Sequence, residues 1–350
     1  MHSPPLLLSP DNFTTPARTP WGGRRILDRF KRGLPLEVDI ARYPVVGESW
    51  EFSVDPEFPS RIHKTRERLV DELANDPLSW LGESGALRWG GATPLLVKLL
   101  DAADDLSVQV HPTNDYPGLR AHESGKPECW YVVERDPGAG IYLGLAEGVT
   151  RQDMERALRW GGEASALLNF VPVEVGDFFV IDAGTAHAIG RGVTLVEPQI
   201  VCPGRSGVTY RMWDWNRRYA ANGTVDPAGK PRELAIEHAL AVTAWQGPRG
   251  QQFLAEVRSR CPERDPRDAT VSTLHRSDVL WVQRATGTGT APWATEASLW
   301  SLTVLDGTVS LQHTEGALEV ARGWSAVIPA AAGQVALVLR QAHAVLASAE

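Results

Sequence analysis

Seven short apolar runs constrain this chain more than any other feature. They read LLVKLLDA (95–102), LSVQVH (106–111), CWYVVE (129–134), GIYLGL (140–145), DFFVID (177–182), VTLVEPQIV (193–201) and VTYRMW (208–213). Runs this short and this rich in Val, Leu, Phe and Tyr are strand-like, and glycine, proline, asparagine or aspartate follows each within a few residues. The chain carries 32 Gly and 25 Pro, as a turn-rich β protein requires. Helical spacing is confined to three stretches. The first is 66–76, which Pro77 stops; the second is 150–160, opened by a capping-box-like Thr150 and Asp153; the third is 232–245. Beyond residue 270 the pattern is strand-like only.

The expected fold is therefore mainly β. Residues 1–246 form one unit with a few helices, the charged and proline-broken 247–270 a connector, and 271–350 a smaller β unit. A length of 350 residues suits about two domains. One internal echo links VEVGDFFVIDAGTAH (173–187) to LEVARGWSAVIPAAAG (318–333). It suits two related β-barrels, the second lacking the histidine.

Composition narrows the function. Apolar residues make up 43% and charged residues 22%, which is an ordinary globular balance. A net charge of −8 argues against nucleic acid or a membrane surface as partner. Cys129, Cys202 and Cys261 are widely spaced with no CxxC, so a reducing cytoplasm is expected and a disulfide framework is not. The first residues lack a basic leader, and no apolar stretch is long enough to span a bilayer.

Polar residues interrupt the apolar runs in four places. In the first, Ser107, Gln109 and His111 alternate with Val108 and Val110, so a strand would put the three polar groups on one face. That face meets either solvent or a metal. In the second, Glu128 opens an apolar run two residues after Lys126, and a carboxylate there needs a partner unless it faces water. The third is His187, set among small residues after a glycine turn; it reads equally as a satisfied core histidine. The fourth is Arg211, which shares a strand face with Trp213 and Trp215 in an unbroken strand and could be held among them while presenting its fork to an oxyanion. Gln109, His111, Glu128 and His187 together are a mixed oxygen and nitrogen set that suits a divalent ion such as zinc. His63, His122, His238, His275, His313 and His343 fall outside these patterns and read as surface or core residues.

Taken in order, WGGRRI (21–26), GESWEFS (47–53), PLLVKLLDAADDLSVQVHP (94–112), GKPECWYVV (125–133), GDFFVIDAGTAHAIG (176–190), VEPQ (196–199) and YRMWDWNR (210–217) resemble the type I mannose-6-phosphate isomerases, in their shorter bacterial form. The resemblance implies a cupin architecture, a jelly-roll barrel of two sheets. It places one zinc per chain on Gln109, His111, Glu128 and His187, and the catalytic arginine on Arg211. Lys126 and Ser107 match positions lining the sugar-phosphate pocket, and Glu197 matches an acidic residue near the site. The implied reaction interconverts mannose 6-phosphate and fructose 6-phosphate through a cis-enediol, in a monomer or homodimer; Glu197 is the expected base, with a zinc-bound water or a histidine as the alternatives.

Three departures stand out. Glu197-Pro198-Gln199 replaces the family's Glu-Ile-Gln, IVCPGRSGVT (200–209) runs a few residues long just before Arg211, and the helical insertion of the longer enzymes is missing. Two other readings remain: an iron-dependent cupin dioxygenase, against which Gln109 and Lys126 weigh, and a sugar-phosphate-binding cupin without turnover.

Overall fold

Two antiparallel sheets stack around a shared core and carry the site between them. The computed structural model describes residues 3–221, 223–260, 267–314 and 316–350. Cys261 and residues 262–266 of the expected connector lie outside the described residues. The first sheet has five strands in the order Tyr210–Trp213, Val108–Val110, His187–Ile189, Gly140–Leu145 and Leu168–Pro172. The second has six, in the order Arg258–Arg260, Asp177–Ile181, Glu128–Arg135, Val193–Ile200, Leu95–Asp101 and Glu48–Phe52. Leu100, Trp130, Val132 and Leu195 of the second sheet meet Ile141, Leu143 and Ile189 of the first in one buried cluster. This is the two-sheet, mainly β barrel that the runs and the resemblance led us to expect.

A third sheet of seven strands covers the back of the second. It contains Thr270–Arg276, Leu280–Ala294, Trp300–His313, Gly316–Ala321, Ser325–Ile328 and Gln334–Ala349, and it also takes in Leu6–Leu8 from the other end of the chain. Register shifts at Gly287/Gly289 and at Val304/Asp306 bend its long strands around a core of Trp281, Trp300, Leu302 and Leu337. Its other apolar residues, Leu280, Val282, Val327 and Val345, pack against Leu95, Val97, Cys129, Tyr131 and Val196 of the second sheet. The second sheet is thus buried on both faces, which is why LLVKLLD and ECWYVV read as nearly unbroken apolar runs.

A buried ion pair beside the second sheet is hydrogen-bonded to the third. Lys31 Nζ lies 2.7 Å from Glu51 Oε1 and also donates to the Gly323 carbonyl at 2.8 Å, while the Ser325 hydroxyl donates to Glu51 at 2.6 Å. Glu51 is the extra residue of a bulge, since Trp50 stands opposite Lys98 and Phe52 opposite Val97. The bulge turns Glu51 toward the third sheet.

The helices differ from the expectation in one instructive way. The first helix runs Leu69–Asn75, and Pro77 does more than stop it: Pro77 is the first residue of a second helix, Pro77–Trp89. Asp76 caps that helix by accepting from Ser79 N, and proline suits a first turn whose N–H has no intrahelical acceptor. Gly82 interrupts the pattern with φ 73°, and a side chain there would strike the Ala297 carbonyl. The capping box on Thr150 and Asp153 opens Arg151–Arg159, and the third stretch is helical over Ile236–Val242. The segment read as a connector holds a helix, Gly250–Val257, and an edge strand, Arg258–Arg260, that pairs with Asp177–Ile181. Beyond residue 270, a single 3₁₀ turn at Ala330–Ala332 is the helical structure among the described residues. Among those residues no helix is long and apolar enough to cross a membrane.

Candidate metal centre and pocket

Strand register assembles the site. Gln109 stands directly opposite His187 on one side and Arg211 on the other, so the three side chains share one face of the first sheet. Val108 and Val110 point away into a separate core beneath the helices, as the alternation requires. His111 follows at the strand end. Gly184, at φ 85°, makes the turn that delivers His187, and its N–H donates to the His111 carbonyl. Glu128 arrives from the second sheet, paired with Gln199.

His111, Glu128 and His187 converge in the interior, with residue exposures of 1%, 1% and 0%. His111 Nε2 lies 3.4 Å from Glu128 Oε2, and His187 Nε2 lies 3.5 Å from Glu128 Oε1. The Gln109 amide is 3.3 Å from His187 Nε2. Each imidazole is oriented by its other nitrogen. His111 Nδ1 donates to the Val208 carbonyl at 3.0 Å, and His187 Nδ1 to the Thr185 carbonyl at 2.8 Å. Both Nε2 atoms therefore carry a lone pair turned toward Glu128. His111 Nε2 and Glu128 Oε1 have no hydrogen-bond partner although buried.

This arrangement fits a metal ion. Four donors around tetrahedral zinc, each about 2.0 Å from it, stand about 3.3 Å apart, close to the spacings here. Burial pushes the His111 pKa down and holds His187 at about 3, so both rings are neutral and able to ligate. Burial alone would raise the Glu128 pKa, but Lys126, 3.5 Å away, together with His111 and His187, outweighs it and keeps the carboxylate ionised. Gln199 Nε2 donates to Glu128 at 2.5 Å and fixes its plane.

Beside this cluster lies a second buried carboxylate. Glu197 Oε1 accepts from Trp130 Nε1 at 3.0 Å, and its other oxygen is 3.5 Å from Lys98 Nζ. Burial, reinforced by Glu128, lifts the Glu197 pKa to about 7. Lys98 stands directly opposite Glu197 in register and sits 4.8 Å over the Trp50 ring. The sequence reading missed Lys98, although a lysine within LLVKLLD carries a signal: it breaks an otherwise apolar strand.

Arg211 is held differently from the expectation. A bulge after Arg211 sets Trp213 opposite Val108, so Trp213 turns into the outer core and away from the arginine. The guanidinium is held by polar groups: Nε donates to the Ser107 hydroxyl at 3.1 Å and Nη1 to the Glu233 carbonyl at 3.2 Å.

These residues line a cavity of about 440 Å³, a size that suits a small metabolite. Ser107, Gln109, Lys126, Glu197, Gln199 and Arg211 all face it. The long segment before Arg211 forms one wall. Ser206–Gly207 pairs in parallel with Glu123–Ser124, and the Cys202 N–H donates to the Ser124 hydroxyl. Of the six remaining histidines named above, His343 is half-buried, with its Nε2 2.8 Å from the Tyr131 hydroxyl.

The chain is similar to known proteins of one kind. Residues 15–129 match the family model for the phosphomannose isomerase type I catalytic domain. The mannose-6-phosphate isomerase of Streptococcus mutans is 36% identical over 224 residues, which is 63% of this chain and 63% of that protein's length. The crystal structure of the mannose 6-phosphate isomerase from Bacillus subtilis superposes with a TM-score of 0.75 at 25% identity, covering 99% of both chains. A mannose 6-phosphate isomerase crystallised with zinc and yttrium shares the fold, with a TM-score of 0.71 at 16% identity over 99% of this chain and 100% of that one. With the motifs in order and the ligand cluster in place, the chain is similar to the type I phosphomannose isomerases, in sequence over part of its length and in fold over nearly all of it.

Proposed function

We propose that this protein is a zinc-dependent aldose–ketose isomerase that interconverts mannose 6-phosphate and fructose 6-phosphate. The observation that carries the proposal is the convergence of two inward-turned imidazoles and an ionised carboxylate beside the cavity that Arg211 and Glu197 also face. In this reading His111, Glu128, His187 and Gln109 hold one zinc ion. When bound, zinc supplies a Lewis acid that polarises the carbonyl of the opened sugar.

The rest of the chemistry falls to side chains. Isomerisation moves one proton between C1 and C2 through a cis-enediol. Glu197 takes that proton and returns it to the neighbouring carbon, and its raised pKa suits a base that must both accept and release it near neutrality. The Lys98 ammonium beside it favours the ionised form. Arg211, which has no carboxylate partner among the described residues, offers its fork to the oxygens that become enediolate. Lys126 and Ser107 bind the sugar phosphate. Trp130 and Trp50 keep the proton transfer away from water. The reaction belongs to residues 1–246, while residues 271–350 seal the back of the sheet that carries Glu128 and Glu197.

A coupled assay for fructose 6-phosphate formed from mannose 6-phosphate tests this, run before and after chelation with zinc content measured in parallel. The expected result is chelator-sensitive turnover that returns when one zinc per chain is restored. Full turnover after complete metal removal would overturn the zinc assignment. No conversion by zinc-loaded protein would overturn the isomerase.

A further inference from the structure

Resting on the sugar-phosphate reading, a charge balance of the cavity points to a residue the family pattern does not supply. Six cationic side chains line it: Arg18, Lys98, Lys126, Arg205, Arg211 and Arg232. Four of them already face a carboxylate. Arg18 pairs with Glu57 at 2.9 Å, Lys98 with Glu197 at 3.5 Å, Lys126 with Glu128 at 3.5 Å and Arg232 with Asp214 at 2.7 Å. Arg211 is held by a hydroxyl and a carbonyl at the inner end. Arg205 is exposed on the pocket wall, and its side chain makes no hydrogen bond or ion pair among the described residues.

A phosphate monoester carries a charge of about −1.5 to −2 near neutral pH. Lys126 alone does not balance it, because Glu128 already offsets that ammonium. A planar guanidinium is suited to the task, since it binds two phosphate oxygens at once. The segment that carries Arg205 is also anchored to the stretch that carries Lys126. The Ser206 N–H donates to the His122 carbonyl at 2.9 Å, and the Val208 N–H to the Ser124 carbonyl at 2.9 Å. The Arg205 N–H closes a turn onto the Cys202 carbonyl at 3.0 Å. Gly207 packs so tightly on Lys126 that an added Cβ would lie 2.9 Å from the lysine Cδ. The longer segment before Arg211 thus brings an unpaired cation over the same cavity on a backbone fixed at both ends.

We propose that Arg205 is a phosphate-binding residue of this pocket, clamping the phosphoryl group of an open-chain sugar phosphate from the outer wall while the reacting carbons lie beside Glu197 and Arg211.

The test compares metal-loaded wild type with R205A and R205K, by kinetics on mannose 6-phosphate and by calorimetric titration with inorganic phosphate. Because Arg205 is exposed, both variants are expected to melt like wild type. R205A should raise KM and weaken phosphate binding by about tenfold or more, with kcat within about threefold, and R205K should recover part of both losses. Phosphate affinity within about twofold of wild type in R205A would overturn the proposal, whatever KM does. If wild type fails to convert mannose 6-phosphate, the isomerase reading fails by itself and the phosphate titration still decides Arg205. Weaker phosphate binding in R205A would uphold it, and equal or absent binding in wild type and variant would overturn it.

Discussion

Replacing Glu197 by glutamine probes one carboxyl in two assays whose pH slopes have opposite signs. Glu197 sits between Trp130 and Lys98, and burial with the Glu128 charge lifts its pKa from 4.5 to about 7. Holding a carboxyl that far above its unfolded value corresponds to about 3 kcal/mol. The folded protein binds this proton more tightly than the unfolded chain does. The stability linked to it is therefore complete below about pH 4.5 and lost as the pH rises through about 7. Glutamine keeps an acceptor for Trp130 but cannot ionise. In metal-free protein, the stability of E197Q relative to wild type should therefore climb by up to about 3 kcal/mol across that window. Any fixed cost from Lys98 losing a partner shifts the whole curve and leaves the slope intact.

Activity runs the other way, because the base must be ionised. For zinc-loaded wild type, kcat/KM should rise with pH along an acid limb. Its midpoint lies above 4.5 because burial persists, and below about 7 because bound zinc offsets Glu128. E197Q should lose about 10²–10⁴-fold in kcat and show no such limb. Urea melts across pH and a pH–rate profile give both readings. An E197Q enzyme that keeps the limb, or stability curves that run parallel across pH, would remove Glu197 from the chemistry.

Other substitutions separate the remaining roles. His187→Ala deletes one inward imidazole and should weaken zinc binding at least about 100-fold, read by metal content after dialysis against a graded chelator. Arg211→Ala should fold, keep its zinc and lose about 10²–10³-fold in kcat; near-normal turnover would exclude it from the mechanism. Lys31→Met strands the buried Glu51 carboxylate and should cost about 3–5 kcal/mol in urea unfolding, whereas Lys31→Met with Glu51→Leu should regain most of that loss.

What the sequence revealed follows the reach of its periodicities. Ser107, Gln109 and His111 could be set on one face because strand alternation is local, and the register of Gln109 with His187 and Arg211 agrees with it. The wrong side assigned to Trp213 came from a bulge, which adds a residue without leaving a local mark. Lys98 was overlooked because its strand is buried on both faces, and such a strand loses the alternation that would single it out. Pro77 ends one helix and begins another, and only the second role depends on the Asp76 cap that precedes it. The pairing of Leu6–Leu8 with Ser325–Ile328 joins residues some 320 positions apart, beyond any periodic signal.

The same alternation explains how a unit without visible chemistry shapes the site. Along the second sheet, Glu128 and Trp130 turn to the cavity side while Cys129, Tyr131 and Val133 turn to the third sheet. Along its neighbour, Glu197 and Gln199 face the site while Val196 and Ile200 face the other way. Two consecutive residues thus serve two cores. The third sheet keeps water from the back of every strand that carries Glu128, Glu197 or Lys98. Desolvation is the largest influence on the titration of all three, and of His111 and His187 as well. Neutral imidazoles and a carboxyl poised near neutrality both depend on low polarity around the site.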